Sequence, residues 1–234
     1  MASGGVAVRG GALVPGKDGP AFIAHGGGNK ADLLHQALDA KADFVEIDLW
    51  VNHGRFEARH ERSVFGTPLW FERWYLRWAP RHSFRLASLL RDTAGRTEIF
   101  FDFKNSDARS ARLLGEALDE AGPDIHPVAS SQLWHVLRVI QRTAPAVRLF
   151  YSIDVKAQLD LFLSVADRDV RPSGVSCRHS LLSREIIARL HDRGLLVVAW
   201  TVDDEDRGAE LAEWGIDGIT THRVKELRQR IVGE

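Results

Sequence analysis

From residue 21 to the C-terminus, eight short apolar runs alternate with eight longer amphipathic stretches, and no linker interrupts the series. The apolar runs are 21–25, 44–51, 98–104, 127–130, 147–153, 174–178, 195–202 and 218–221. The helical stretches between and after them are 30–40, 84–93, 107–121, 131–143, 155–166, 183–193, 205–214 and 223–232. Strand runs that alternate with helices imply parallel strands joined by crossovers, and eight such units suit a closed (β/α)8 TIM barrel in a single α/β domain. An open doubly wound sheet is the rival, but Gly26-Gly27-Gly28 lacks the spacing of a dinucleotide or Walker loop. Gly122, Gly194 and Gly215 each follow a helical stretch and precede a strand, as a left-handed helix C-cap favours.

Two of the strand runs carry charge where an apolar core should continue. In Phe44-Val45-Glu46-Ile47-Asp48-Leu49-Trp50-Val51 the period-two alternation sends Glu46 and Asp48 to one face and Val45, Ile47 and Leu49 to the other. In Ile99-Phe100-Phe101-Asp102-Phe103-Lys104 the same rule puts Asp102 and Lys104 on a shared face. Buried carboxylates without partners cost several kcal/mol or take up a proton. Three that converge imply either a hard cation with oxygen ligands or, alternatively, strand-end pairs with Arg and Lys. In a barrel these residues fall at the C-terminal strand ends, where chemistry gathers, and His25 ends the first strand there. The turn Asn52-His53-Gly54-Arg55 followed by an extended return predicts a hairpin that brings His60 beside the acids.

Composition narrows the function classes. Lys and Arg total 31 against 32 for Asp and Glu, so no basic surface points to nucleic acid. The lone Cys177 excludes an internal disulfide framework and a thiolate cluster. Residues 1–20 read as a Gly-rich extension without the continuous apolar core of a secretory signal, and residues 21–234 as the barrel domain, so a soluble, cytoplasmic protein is expected. Oligomeric state leaves no mark in the sequence. Trp70, Trp74 and Trp78 recur every four residues. A helix there would line them up, either as a cap packed on the barrel or as a surface for transient membrane contact.

The ordered set His25-Gly26-Gly27, Asn29, Ala42-Asp43-Phe44-Val45-Glu46-Ile47-Asp48, His60-Glu61, Asp102-Phe103-Lys104, Trp200-Thr201-Val202 and Gly215 to Thr221 resembles the glycerophosphodiester phosphodiesterase superfamily. That resemblance implies a TIM barrel in which Glu46, Asp48 and Asp102 hold one divalent cation, Mg2+ or Ca2+. It implies His25 and His60 as the acid/base pair, Lys104 on the phosphate, and Asn29 and Trp200 in the substrate site. The expected activity is hydrolysis of a glycerophosphodiester to glycerol phosphate and an alcohol. The expected partner is a small-molecule or lysolipid phosphodiester.

The pattern also departs from the family. Gly26 stands where Arg usually follows the first His, and Gly28 where Glu usually precedes the Asn. Asp102-x-Lys104 is the form of the related sphingomyelinase D and phospholipase D toxins, which implies an alternative activity on lysophospholipid or sphingolipid with a cyclic phosphate product. A barrel that binds phosphate or lipid without turnover is the third reading. Three acids, one Lys and one divalent cation sum to zero charge, so an anionic substrate needs a further cation. Arg178, beside His179, is the candidate substitute.

Overall fold

The structure is a computed structural model that describes residues 13, 19–63, 67, 69–72, 75–78, 86–121, 127–165 and 172–233. Eight parallel strands close on themselves: β1 (Ala21–Ala24), β2 (Phe44–Asn52), β7 (Glu98–Phe103), β8 (Val128–Ser131), β9 (Arg148–Ile153), β10 (Gly174–Arg178), β11 (Leu196–Trp200) and β12 (Gly218–Thr221). Each pairs with the next, and β1 pairs with both β12 and β2, which completes the barrel. Outside lie α1 (Ala31–Asp39), α2 (Leu86–Thr93), α3 (Ala108–Glu120), α4 (Trp134–Thr143), α5 (Lys156–Val165), α6 (Arg184–His191), α7 (Glu205–Glu213) and α8 (Val224–Val232). The expected eightfold alternation is therefore the observed architecture. Gly194 and Gly215 have positive φ as expected, whereas Gly122 lies outside the described residues.

The two faces of each strand serve two cores. Val45, Ile47 and Leu49 of β2 join the large apolar layer between strands and helices. Phe44 joins Ala21, Ile23, Phe100, Val128, Phe150, Leu196 and Val198 inside the barrel, together with Leu13 from the N-terminal segment. Arg148 donates to the Leu13 carbonyl at 3.0 Å, so residue 13 plugs the end of the barrel where the strands begin. Toward the other end the interior changes character. Ser130, Ser152, Ser176 and Thr220 replace the apolar residues two positions further along their strands, and the acids lie with them.

Between β2 and α2 the chain leaves the barrel. β3 (Arg55–Ala58) returns antiparallel along β2, as the turn at 52–55 predicts. A separate antiparallel sheet follows, made of β4 (Arg62–Ser63), β5 (Leu69–Glu72) and β6 (Tyr75–Trp78). The helix expected for the tryptophan series is thus replaced by strands wherever the series is described, and Trp74 lies outside those residues. Aromatic residues favour the pleated surface of a sheet, and a four-residue spacing arises equally from two paired strands joined by a turn. In the register, Trp78 pairs with Leu69 and Trp70 with Arg77. Phe71, Leu76 and Trp78 are exposed.

Among the described glycines, Gly174 leaves the least room for a side chain. A Cβ there would lie 2.3 Å from the Leu196 carbonyl oxygen and 2.5 Å from the Phe150 ring. Gly174→Ala is expected to cost about 1–3 kcal/mol by overpacking. A urea denaturation midpoint that does not move would contradict this account of the interior.

Candidate functional site

The site begins with strand register. Asp48 of β2 pairs directly with Asp102 of β7, and both sit on the inward side with Glu46 two residues earlier. Parallel pairing therefore forces two carboxylates together at the mouth, before any loop contributes. One oxygen from each of Glu46, Asp48 and Asp102 lies within 4.8 Å of the others. Glu46 and Asp48 are buried, at 5% and 2% exposure. Lys104 reaches Asp48 Oδ1 at 2.7 Å and also donates to Asp102. The acids converge closely enough to share a cation, and a lysine pairs with two of them, as the ion-pair alternative expects.

These charges are not balanced. Burial first, and then Asp48 and Asp102, push the Glu46 carboxyl well above its ordinary range. Burial also raises Asp102, with Asp48 adding to it against the pull of Lys104. Burial pushes Asp48 the same way, yet Lys104 and Asn29 outweigh it and hold that carboxyl low. Burial opposes the Lys104 ammonium, but Asp102, Asp48 and Glu46 push it above its ordinary range, so it stays charged. Three acids that share one ammonium leave room for further positive charge. The all-oxygen donor set fits a hard divalent cation.

The loop after β1 shapes this cluster. Gly26 adopts φ +63° and its N–H donates to Glu46 Oε2 at 2.6 Å. A Cβ at residue 28 would lie 2.9 Å from Ile47 Cβ, and the Gly28 N–H donates to the Glu46 carbonyl at 2.8 Å. This backbone passes too close to β2 for a side chain at residue 28, and at residue 26 it takes a left-handed conformation that favours glycine. Asn29 makes two bonds to Asp48: its Nδ2 donates to Oδ2 at 2.7 Å, and its Oδ1 accepts from the Asp48 N–H at 2.9 Å. The structure thus places Asn29 against Asp48, and it is not among the residues that line the cavity.

His25, Glu46, Asp48, His60, Asp102, Lys104 and Trp200 all line one cavity of about 280 Å³. Thr201 Oγ1 lies 2.9 Å from His25 Nδ1 and fixes the ring from β11. Burial above all, then His222, lowers the His25 imidazole to about 4. The exposed His60 arrives on the return segment after β3, as the hairpin predicts. Arg59 anchors that segment. Its N–H donates to the Asp48 carbonyl at 2.9 Å, its Nε pairs with Glu57 at 2.7 Å, and its guanidinium also donates to the Glu61 carbonyl beyond His60. The Trp200 Nε1–H donates to the Ser176 carbonyl at 2.9 Å.

Arg178 is the expectation the geometry does not bring in. Its guanidinium pairs with Asp154 at 2.6 Å and lies 5.8 Å from the Trp200 ring centroid, and it does not line the cavity. Its charge is already matched by a carboxylate. Sequence reading did not single out Ser130, Gln132, Ser152, Ser176 and Thr220, which line the cavity, nor Arg59 and His222. The alternation of small hydroxyl residues at inward strand positions was the available signal.

Glu46 also carries a stability consequence. Its folded-state proton affinity exceeds the ordinary value near 4.5, so the metal-free fold binds that proton more tightly than the unfolded chain does. Stability should fall as pH rises from about 4.5. Glu46→Gln keeps an acceptor for Gly26 and removes the charge. It is expected to stabilise the metal-free protein by about 1–3 kcal/mol at neutral pH and by little near pH 4. Thermal melts of both proteins in chelator across that range check the direction.

The Glycerophosphoryl diester phosphodiesterase family model matches residues 101–226. The Bacillus subtilis (strain 168) protein YhdW, provisionally named a glycerophosphodiester phosphodiesterase, is 32% identical over 79 residues. That match spans 34% of this chain and only 30% of YhdW. A Silicibacter pomeroyi DSS-3 structure, provisionally described as a glycerophosphoryl diester phosphodiesterase, superposes with a TM-score of 0.77 at 18% identity, covering 95% of this chain and 96% of that one. An Oleispira antarctica phosphodiesterase in complex with the product sn-glycerol-3-phosphate gives a TM-score of 0.72 at 15% identity, with 91% and 97% covered. The structural likenesses show a shared fold, and the model match covers more than half of the sequence. The chain belongs to the glycerophosphoryl diester phosphodiesterase family.

Proposed function

We propose that the protein is a metal-dependent phosphoric diester hydrolase that cleaves glycerophosphodiesters to glycerol phosphate and an alcohol. The observation that carries this reading is the meeting of two imidazoles, one ammonium and three carboxylates around a single cavity. A cation held by Glu46, Asp48 and Asp102, either Mg2+ or Ca2+, would polarise the phosphoryl oxygens when bound. Lys104 adds a fixed positive charge to the same wall and attracts the anionic diester. His25 and His60 divide the proton transfers: one imidazole takes the proton of the attacking hydroxyl and the other gives one to the leaving alkoxide. Thr201 at His25 Nδ1 leaves Nε2 as the nitrogen that faces this task. Asn29 and the Gly26 N–H hold the acids in place. A protein of the same fold binds sn-glycerol-3-phosphate as its product, the product class proposed here.

A second reading is a phospholipase D-type reaction on a lysolipid or sphingolipid that releases a cyclic phosphate. Asp102-x-Lys104 favours it, as do the exposed Phe71, Leu76 and Trp78 of the sheet that follows His60. Leu69 and Phe71 face Trp78 and Leu76 across the ladder, so the sheet presents one apolar side. That side suits an acyl chain or a membrane surface, whereas glycerophosphocholine offers nothing apolar to bind it.

Phosphorus NMR of products from glycerophosphocholine and from lysophosphatidylcholine, each with Mg2+ or Ca2+, separates the readings. Glycerol phosphate supports the hydrolase, and a cyclic lysolipid phosphate supports the alternative. No turnover of either leaves a binding barrel. His25→Ala and His60→Ala should each lower kcat by about 10²–10⁴-fold, and chelation should abolish turnover until the cation is returned. If lysolipid is the substrate, Trp78→Ala should weaken retention on liposomes and slow lysolipid turnover, while leaving glycerophosphocholine kinetics unchanged.

A further inference from the structure

Just past β12 the chain grips a carboxylate from the neighbouring strand end. The Thr221 hydroxyl and the His222 backbone N–H both donate to Asp203 Oδ1 at 2.9 Å. His222 Nδ1 lies 2.8 Å from Asp203 Oδ2. Arg223 donates to the Asp203 carbonyl at 3.1 Å, and its own N–H donates to the Thr221 hydroxyl at 2.9 Å. Thr221 and His222 thereby hold one carboxylate, Arg223 holds the Asp203 main chain and the Thr221 hydroxyl, and the carboxylate in turn holds one imidazole. That imidazole stacks on His25, with ring centroids 4.5 Å apart and planes 28° from parallel. Thr201 holds the His25 ring at its Nδ1.

An exposed His–Asp pair contributes little to stability, at most about 1 kcal/mol, and His222 does not line the cavity. Stability therefore gives no reason for a carboxylate braced by several donors to hold one exposed ring. Its one contact with the proposed chemistry is the face of His25.

We propose that His222, held by Asp203, is a positioning residue for His25, a second imidazole that fixes the plane of the catalytic ring and opposes a positive charge on it. The proposal rests on the reading of His25 as a proton-transfer group. The charged and titratable groups around His25 are His222 and Asp203 from the ends of β12 and β11, Asp48 on β2, and Lys104 after β7. His222 and Lys104 disfavour the imidazolium, while Asp48 and Asp203 favour it. His222 is the member of this set in ring contact with His25, so its removal isolates the effect.

The test follows the His25 imidazole signal of full-length, carbon-13-histidine-labelled protein by NMR from pH 3 to 9, with and without Mg2+. Its assignment comes from the signal lost in His25→Ala. His222→Phe keeps an aromatic plane and removes the ionisable ring nitrogens, and His222→Ala removes both. In His222→Phe the His25 midpoint should rise by roughly half a pH unit, the size expected for a unit charge at this distance near water. In turnover of glycerophosphocholine, His222→Ala should lower kcat about tenfold through loss of ring orientation with KM little changed, and His222→Phe should recover most of that loss at high pH. Asp203→Asn should give an intermediate kcat. An unchanged His25 midpoint in His222→Phe together with an unchanged kcat in His222→Ala overturns the proposal. If wild-type protein turns over no phosphodiester, the hydrolase reading fails by itself, and the NMR midpoint still decides whether the two rings are coupled.

Discussion

The register between β2 and β7 sets Asp48 beside Asp102 at the mouth of the barrel, and Glu46 lies one inward step below. Like charges at such spacing, with two of the three acids buried, cannot all remain ionised without a cation among them. Lys104 supplies one charge by reaching back to both aspartates. The remaining deficit shows in Glu46, whose carboxyl is driven well above its usual range. A fold that accepts this cost in its interior has a cluster shaped for a positive species. The proposed hydrolase follows from that imbalance more directly than from any single motif.

Around this cluster the chain spends polar groups on holding rather than on reacting. Asn29 binds Asp48 through both ends of its amide, and Gly26 offers its N–H to Glu46. Arg59 braces the segment on either side of His60, and Asp203 braces His222 against His25. Partners that orient a ligand or a catalytic ring fix its geometry before substrate arrives, which reduces the reorganisation left for the transition state. The division of the barrel interior serves the same end. Phe44, Phe100, Val128, Phe150 and Val198 pack the closed end, and the hydroxyl residues Ser130, Ser152, Ser176 and Thr220 floor the open one.

The strands and helices were legible because each obeys one periodicity over its whole length. β10 and β12 match the expected 174–178 and 218–221, and elsewhere the ends differ by one or two residues, where fraying and capping decide them, except that α4 starts three residues later than expected, after β8 runs on to Ser131. The tryptophan series misled because four-residue spacing fits a helix as well as a hairpin, and only partner strands distinguish the two. Arg178 was reasonable as a strand-end cation, yet Asp154, from the end of the adjacent β9, claims it. Asn29 stood out by its place in the motif, but nothing local reveals that its amide faces Asp48.

What the sequence alone determined is what depends on short-range alternation: eight parallel strands, the inward face of each, and hence Glu46, Asp48, Asp102, Lys104 and His25 at one end of a barrel. Tertiary structure decided everything that depends on which distant groups meet. It paired Lys104 with two acids, turned Arg178 away, closed the barrel end with Leu13, and laid His222 on His25 across 197 positions of chain. Periodicity fixes the direction of a side chain relative to its own strand, whereas the identity of its partner is set by barrel closure and by loop paths that no local pattern encodes.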